Sequence, residues 1–227
     1  MPSEPSPGAP TRFRDLTLAG LVDEMASSAP VPGGGSASAI AASLAAGLVA
    51  MVAALSEGRP KYAEHAPTHA SAGAAGRTLA DRLLQLADDD AASYAVFAAA
   101  LRMPRATESE QAARTTAMRA AARAASVVPL ECVEACRAVI EAAHALAGRS
   151  NLNASSDLGV ASLLAAAAAH GAGANVLVNL PAVADASFST EMSGRVATLL
   201  SEIDELSRVT REVVASGELR AALAGGA

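Results

Sequence analysis

Residues 33–56 read GGGSASAIAASLAAGLVAMVAALS, from Gly33 to Ser56 without one charged side chain. The length suffices to span a bilayer. The content, however, is mostly Ala, Gly and Ser, with seven larger apolar residues: Ile40, Leu44, Leu48, Val49, Met51, Val52 and Leu55. These recur as Ile40–Leu44–Leu48–Met51/Val52–Leu55, the three-to-four spacing of a helix. The stretch predicts a helix opened by Ser36 and buried inside a globular protein, not in a membrane. The Pro- and Ser-rich start of the chain has no apolar run and does not resemble a signal peptide, so a cytoplasmic location is expected.

The same small side chains run through all 227 residues. Sixty are Ala, about half of the 52% apolar total, and aromatics are only 2%. Ala favours helices and disfavours strands, which excludes an all-β fold. A net charge of −6 argues against a nucleic-acid partner. Cys132 and Cys136 lie one helical turn apart and read as structural thiols. No Cys/His spacing resembles a zinc site, so no metal is expected.

Outward from residues 33–56, the pattern gives a series of helices. The first covers about Leu16–Ser27 and stops at the Pro30-Val31-Pro32-Gly33 break. Gly58-Arg59-Pro60 ends the second. The third runs from about Ser71 to Leu101, where Pro104 follows. The fourth covers about Glu108–Ala147, interrupted at Pro129. A polar turn, Asn151–Asp157, leads to a fifth helix capped by Ser155 or Ser156. Asn175–Leu180 is strand-like in composition but has no partner strand and is read as helix. The last helix, about Phe188–Ser216, carries the stripe Val196, Leu199/Leu200, Ile203, Leu206, Val209, Val213. The fold class is all-α, a bundle of long helices. A flexible N-terminal tail over 1–14, one domain over 15–217 and a C-terminal tail over 218–227 are expected.

Four places break the apolar pattern. Gly33-Gly34-Gly35-Ser36 opens a helix, and exposed N–H groups at a helix start suit an anion. Lys61-Tyr62 follows a Gly-Arg-Pro break and offers a loop cation beside an aromatic. Asp88-Asp89-Asp90 lies on the stripe Leu79, Leu83, Leu86, Asp90, Phe97, Leu101. This turns Asp90 toward the core and Asp88 and Asp89 away, and a core-facing carboxylate needs a partner or a task. Asn151-x-Asn153-x-x-Ser156-Asp157 packs amides, a hydroxyl and a carboxylate into one turn, and helix capping alone would also place them there. The histidines suggest no catalytic arrangement. His144 and His170 read as cations near helix ends.

These motifs, with Val128-Pro129-Leu130 and Leu158-Gly159-Val160-Ala161, resemble in order and spacing the formiminotransferase-cyclodeaminase C-terminal domain family. That family also includes stand-alone methenyltetrahydrofolate cyclohydrolases. The similarity covers roughly Leu16 to Leu206. It implies a cyclodeaminase-like helical fold, a homodimer, and a tetrahydrofolate substrate in a cleft near the dimer interface. No cofactor or metal is implied. The implied reaction is ring closure by N10 of 5-formimidoyltetrahydrofolate with loss of ammonia, a cyclodeaminase. The alternative is addition of water to the 5,10-methenyl bridge, a cyclohydrolase. On this resemblance Asp157 is the first choice for proton transfer, Asp90 the second carboxylate, and Lys61 meets the reacting centre or the glutamate tail. Gly33, Gly34, Gly35, Ser36, Tyr62, Asn153, Ser156 and Asn179 are expected to bind substrate. Two rival readings are a non-catalytic folate-binding or helical scaffold protein, and formyl or formimino transfer on an altered substrate. A carboxylate on an apolar stripe argues against the scaffold.

Overall fold

The computed structural model describes residues 12–223. Most of the expected N-terminal tail and the last four residues of the C-terminal one lie outside these. Six α-helices account for most of the chain: α1 Leu18–Met25, α2 Gly34–Ser56, α3 Ala66–Leu101, α4 Glu108–Leu146, α5 Ser155–Val183 and α6 Ala186–Ser216. Among the described residues there is no strand, and Asn175–Leu180 is helical within α5.

The boundaries follow local chemistry. Thr107 and Glu110 cap α4 reciprocally, each side chain bonding the other's backbone N–H. Pro129 and Pro181 lie inside α4 and α5 without ending them. Neither Ser155 nor Ser156 caps α5. Its N-cap is Ala154, without a side-chain bond, because a 3₁₀ turn over Leu152–Ala154 already orders the approach. Asp185 caps α6 through the Phe188 N–H.

The core is built as the composition requires, from small residues at close approach. From α2 it takes Ala39, Ala42, Ala45, Ala46, Val49 and Val52, packed on Leu83 and Leu86 of α3, Val133, Val139 and Ile140 of α4, and Leu158 of α5. Cys132 and Cys136 are buried there as free thiols. Their mutual hydrogen bond and burial hold the Cys136 pKa well above the usual thiol range.

This corrects the expectation for residues 33–56. The small face of α2 is the buried one. Of its larger residues Leu44, at 59% exposed, Met51 and Leu55 point outward, while Val49 and Val52 join the buried face and Ile40 and Leu48 pack at its edge. The neighbouring face of α5 exposes Val160, Leu163, Leu177 and Val178. Both helices are long and apolar enough to cross a membrane by length and composition, and each packs about half of that stretch inside the protein, 50% and 44%.

The helices α2 and α5 run antiparallel, side by side. A Cβ on Gly171 of α5 would meet Ser38 Oγ of α2 at 2.4 Å. At the other end the Asn151 N–H, just before α5, donates to Ser56 Oγ at 2.8 Å. The segment after α6 folds back on the end of α4. The Arg220 N–H donates to the Gly148 carbonyl at 2.7 Å, and Arg149 Nε donates to the Ala221 carbonyl at 2.6 Å.

Candidate functional site

The residues singled out in the sequence form two clusters at opposite ends of the α2–α5 pair. The first lies at the start of α2. Gly35 presents only backbone there, because a Cβ would fall 2.2 Å from Asp90 Oδ1. The Asp90 carboxylate therefore rests directly over the helix start. Ser36 Oγ is fully buried and reaches Asp90 Oδ2 at 2.9 Å and the Ala87 carbonyl at 3.1 Å. At this helix start Ser36 thus orients the protein's own Asp90 carboxylate. Burial raises the Asp90 pKa above the usual carboxylate range, and the bonds from Ser36 offset this in part. Such a group suits proton transfer better than a fully solvated acid does.

Beside Asp90 opens a cavity of about 200 Å³ lined by Pro30, Val31, Gly33, Gly34, Gly35, Tyr94, Phe97, Ala125, Asn175 and Asn179. Asn179 is held there by bonds from Nδ2 to the Ala125 and Asn175 carbonyls, which leave its Oδ1 free to accept. Tyr94 and Asn175 were not anticipated. The helical period carried the signal, since Tyr94 lies four residues after Asp90 and Asn175 four before Asn179. Of the neighbouring acids, Asp89 meets Arg82 and Gln85 at the surface. Asp88 does not simply face water: it is half-buried, and its Oδ1 accepts the Phe13 N–H at 2.9 Å.

The second cluster lies at the other end. Tyr62 is buried, and its hydroxyl accepts the Leu152 N–H at 3.2 Å. Lys61 Nζ lies over the Tyr62 ring, 5.4 Å from its centre. Asn153 and Ser156 are exposed, and Asp157 sits half-buried in the first turn of α5. Gly34 to Ser56 along α2, and Asp157 to Asn179 along α5, each span about 33 Å at 1.5 Å per residue. Within one chain Asp90 and Asp157 are therefore far apart.

The histidines differ from expectation. His144 is not a helix-end cation, since burial and then Arg220 lower its pKa. His170 lies within α5 and meets Asp204 at 2.8 Å. His69 Nε2 is 2.8 Å from the Arg149 carbonyl in a buried contact. Among the described residues no cluster of His, Cys, Asp and Glu is arranged to hold a metal ion. A further cavity, about 480 Å³, lies between Glu64–Ala75, the end of α4 and the segment after α6.

An all-helical bundle with a half-buried carboxylate over a glycine helix start defines a helical protein with a small cavity walled by α2, α3, α4 and α5. The family model described as Formiminotransferase-cyclodeaminase matches residues 17–198, and the chain belongs to that family. A methenyltetrahydrofolate cyclohydrolase of Methylorubrum extorquens is 36% identical over 200 residues, covering 88% of this chain and 96% of that one. The formimidoyltransferase-cyclodeaminase of Rattus norvegicus is 32% identical over 207 residues. That match covers 87% of this chain, which spans only 37% of the rat enzyme. The crystal structure of formiminotetrahydrofolate cyclodeaminase from Thermotoga maritima shares the fold, with a TM-score of 0.81, 23% identity, and coverage of 89% and 98%.

Proposed function

We propose that this protein is a one-carbon folate enzyme acting on the 5,10-methenyl bridge of tetrahydrofolate, with its site completed by a second copy of the chain. The observation that carries this is Asp90: a half-buried carboxylate with a raised pKa, fixed by Ser36 over Gly35 and opening on a cavity with two aromatic rings and two amides. Tyr94 and Phe97 offer faces for a flat pterin, and Asn175 and Asn179 offer polar edges. Water addition is the leading direction, because the relative at 36% identity, matched over 96% of its length, is named a cyclohydrolase. A carboxylate accepts a proton from water as its oxygen bonds to the cationic bridge carbon. The tetrahedral adduct then breaks its bond to N5 as its hydroxyl gives up its proton, N5 takes up a proton, and the formyl group is left on N10. Ring closure is the second reading, favoured by the cyclodeaminase relatives. There N10 attacks the protonated formimidoyl carbon, its proton passes to the outer nitrogen, and ammonia leaves. Both directions cross one tetrahedral carbon between two nitrogens, and both use a carboxylate for proton transfer and for holding the cation.

The homodimer follows from the split site. A two-fold axis across the middle of the α2–α5 face brings Asp90 of one copy toward Lys61, Asn153, Ser156 and Asp157 of the other. The face suits this operation. It is apolar along its length, with Leu44, Leu48, Met51 and Leu55 from α2 and Val160, Leu163, Leu177 and Val178 from α5. A two-fold buries this same patch on both copies, as an isologous interface requires. Covering the face also removes it from contact with lipid. A cytoplasmic setting and the absence of a resident cofactor belong to the same proposal. The test follows the near-ultraviolet absorbance of the methenyl bridge. Its decay faster than in buffer marks the cyclohydrolase, and its appearance from 5-formimidoyltetrahydrofolate marks the cyclodeaminase. A purified dimer that does neither refutes the proposal.

A further inference from the structure

Around the turn between α3 and α4 the charge runs against the rest of the molecule. Residues 101–123 hold five arginines against two glutamates, in a chain of net charge −6. Arg123 pairs with Asp185. Among the described residues, Arg102, Arg105, Arg114 and Arg119 have no carboxylate within salt-bridge distance, unlike Arg82, Arg137 and Arg208. Glu110 does not neutralise them, since its carboxylate accepts the N–H groups of Ala106 and Thr107 at 2.7 and 3.0 Å. Glu108 is exposed in the first turn of α4.

Two of these arginines line a cup of about 280 Å³ with Gln111 and Thr115. Arg114 is oriented there by the Leu101 carbonyl, which accepts from Nε and Nη2 at 3.2 and 3.1 Å and leaves Nη1 free. Gln111 Nε2 donates to the Arg105 carbonyl at 3.2 Å and steadies the turn. The cup and the Asp90 cavity are separate, and both lie against the α3–α4 pair. On α3 the cavity stripe Asp90, Tyr94, Phe97 reaches Leu101 at the next helical step. On α4 the cavity residue Ala125 is followed back along one stripe by Ala121, Met118 and Arg114. Eleven residues of helix separate cavity and cup on both sides, about 16 Å. The strip between them is apolar: Leu101, Met118 and Ala121.

We infer that this cup binds the carboxylate tail of the folate substrate, with the strip between carrying the aryl linker. The inference rests on the folate reading above and adds its tail site. In tetrahydrofolate the reacting N10 joins an aminobenzoyl ring and then glutamates carrying free carboxylates. With the bridge carbon at Asp90, the aryl ring lies along Phe97 and Leu101. The γ-linked carboxylates then reach Arg105 and Arg114, whose planar forks match carboxylate geometry.

The test compares methenyltetrahydrofolate bearing three γ-linked glutamates with the pteroate analogue bearing none, in the wild-type dimer and in Arg105→Glu. The wild type should favour the tail-bearing substrate in kcat/KM by about tenfold, the scale of a charge-assisted hydrogen bond. Arg105→Glu should bring that ratio to about one, and added salt should do the same in the wild type. A ratio unchanged by Arg105→Glu overturns the inference. Tri-γ-glutamate peptide, titrated against both proteins by NMR, separates this from the wider reading. Should the protein turn over neither substrate, the folate reading fails on its own. Peptide binding lost in Arg105→Glu then still supports a polycarboxylate cup, and binding that survives the substitution, or none to the wild type, removes it.

Discussion

Asp90 and its supports concentrate the chemistry at the scale of single residues. A proton held more tightly in the folded state than in the unfolded chain has a thermodynamic signature. Burial raises the Asp90 pKa, so between the unfolded and folded values the native state binds more protons. Its contribution to stability is present at low pH and is lost as pH rises through the folded value. Asp90→Asn removes that dependence. The variant should have a melting temperature at neutral pH equal to or above that of the wild type, while turnover falls about 10²–10⁴-fold. Calorimetry across the acid range together with the absorbance assay checks both halves. A variant that melts earlier yet turns over normally would make Asp90 a structural residue. Asp90 was legible in the sequence because it interrupts an apolar stripe at the correct period. The role of Ser36 was not, since a hydroxyl at a helix start has the same appearance whether it meets a ligand or a carboxylate 54 residues away.

At the scale of elements, periodicity located the helices, but composition misled about which face is buried. The sequence of α2 offers two faces, one of Ala and Val and one of Leu and Met, and hydrophobicity alone favours burying the larger. Close packing decides otherwise. A Cβ on Gly76 of α3 would lie 2.8 Å from the Ala46 carbonyl of α2, a separation that admits only small residues between the helices. The C-terminal segment was equally unreadable, because what holds it is its own backbone, bonded to the Gly148 carbonyl and to the Arg149 side chain. Its latch also includes His144, whose Nδ1 is 3.1 Å from Thr210 Oγ1 and whose Nε2 is 3.3 Å from Arg220 Nη2. Arg220 can only donate, so the ring must be neutral at Nε2. Burial and Arg220 lower the His144 pKa from its usual 6.5. The unfolded chain therefore binds the proton more readily. The stabilisation is complete above that usual value and is lost as pH falls through the folded one. Hydrogen exchange should show the Arg220 amide opening earlier than the core on acidification, and His144→Gln should abolish the pH step. Equal protection of that amide at pH 7 and at mildly acid pH would refute the latch.

At the scale of the whole molecule, the exposed face of α2 and α5 is the feature a single copy leaves unexplained. Large apolar residues on one face of two helices are a burden for a monomer and an asset for a dimer, where burial returns about 25 cal/mol per Å². Leu44→Glu places a charge on that face at a position 59% exposed, so the fold of one copy should tolerate it. Light scattering should then report the 22.5 kDa monomer, circular dichroism an unchanged helical content, and the assay a loss of turnover. Persistence of an active dimer would place the interface elsewhere.

The distance of about 33 Å between the two clusters has a further consequence, one of inheritance. If every working site draws one half from each parent chain, two defective alleles repair each other. Asp90→Asn and Asp157→Asn homodimers would each be dead at both sites. Co-expressed, they form mixed dimers in which one site collects both lesions and the other collects none. Random pairing then restores roughly a quarter of the wild-type activity, from two proteins that have none alone. A site contained within one chain would restore nothing.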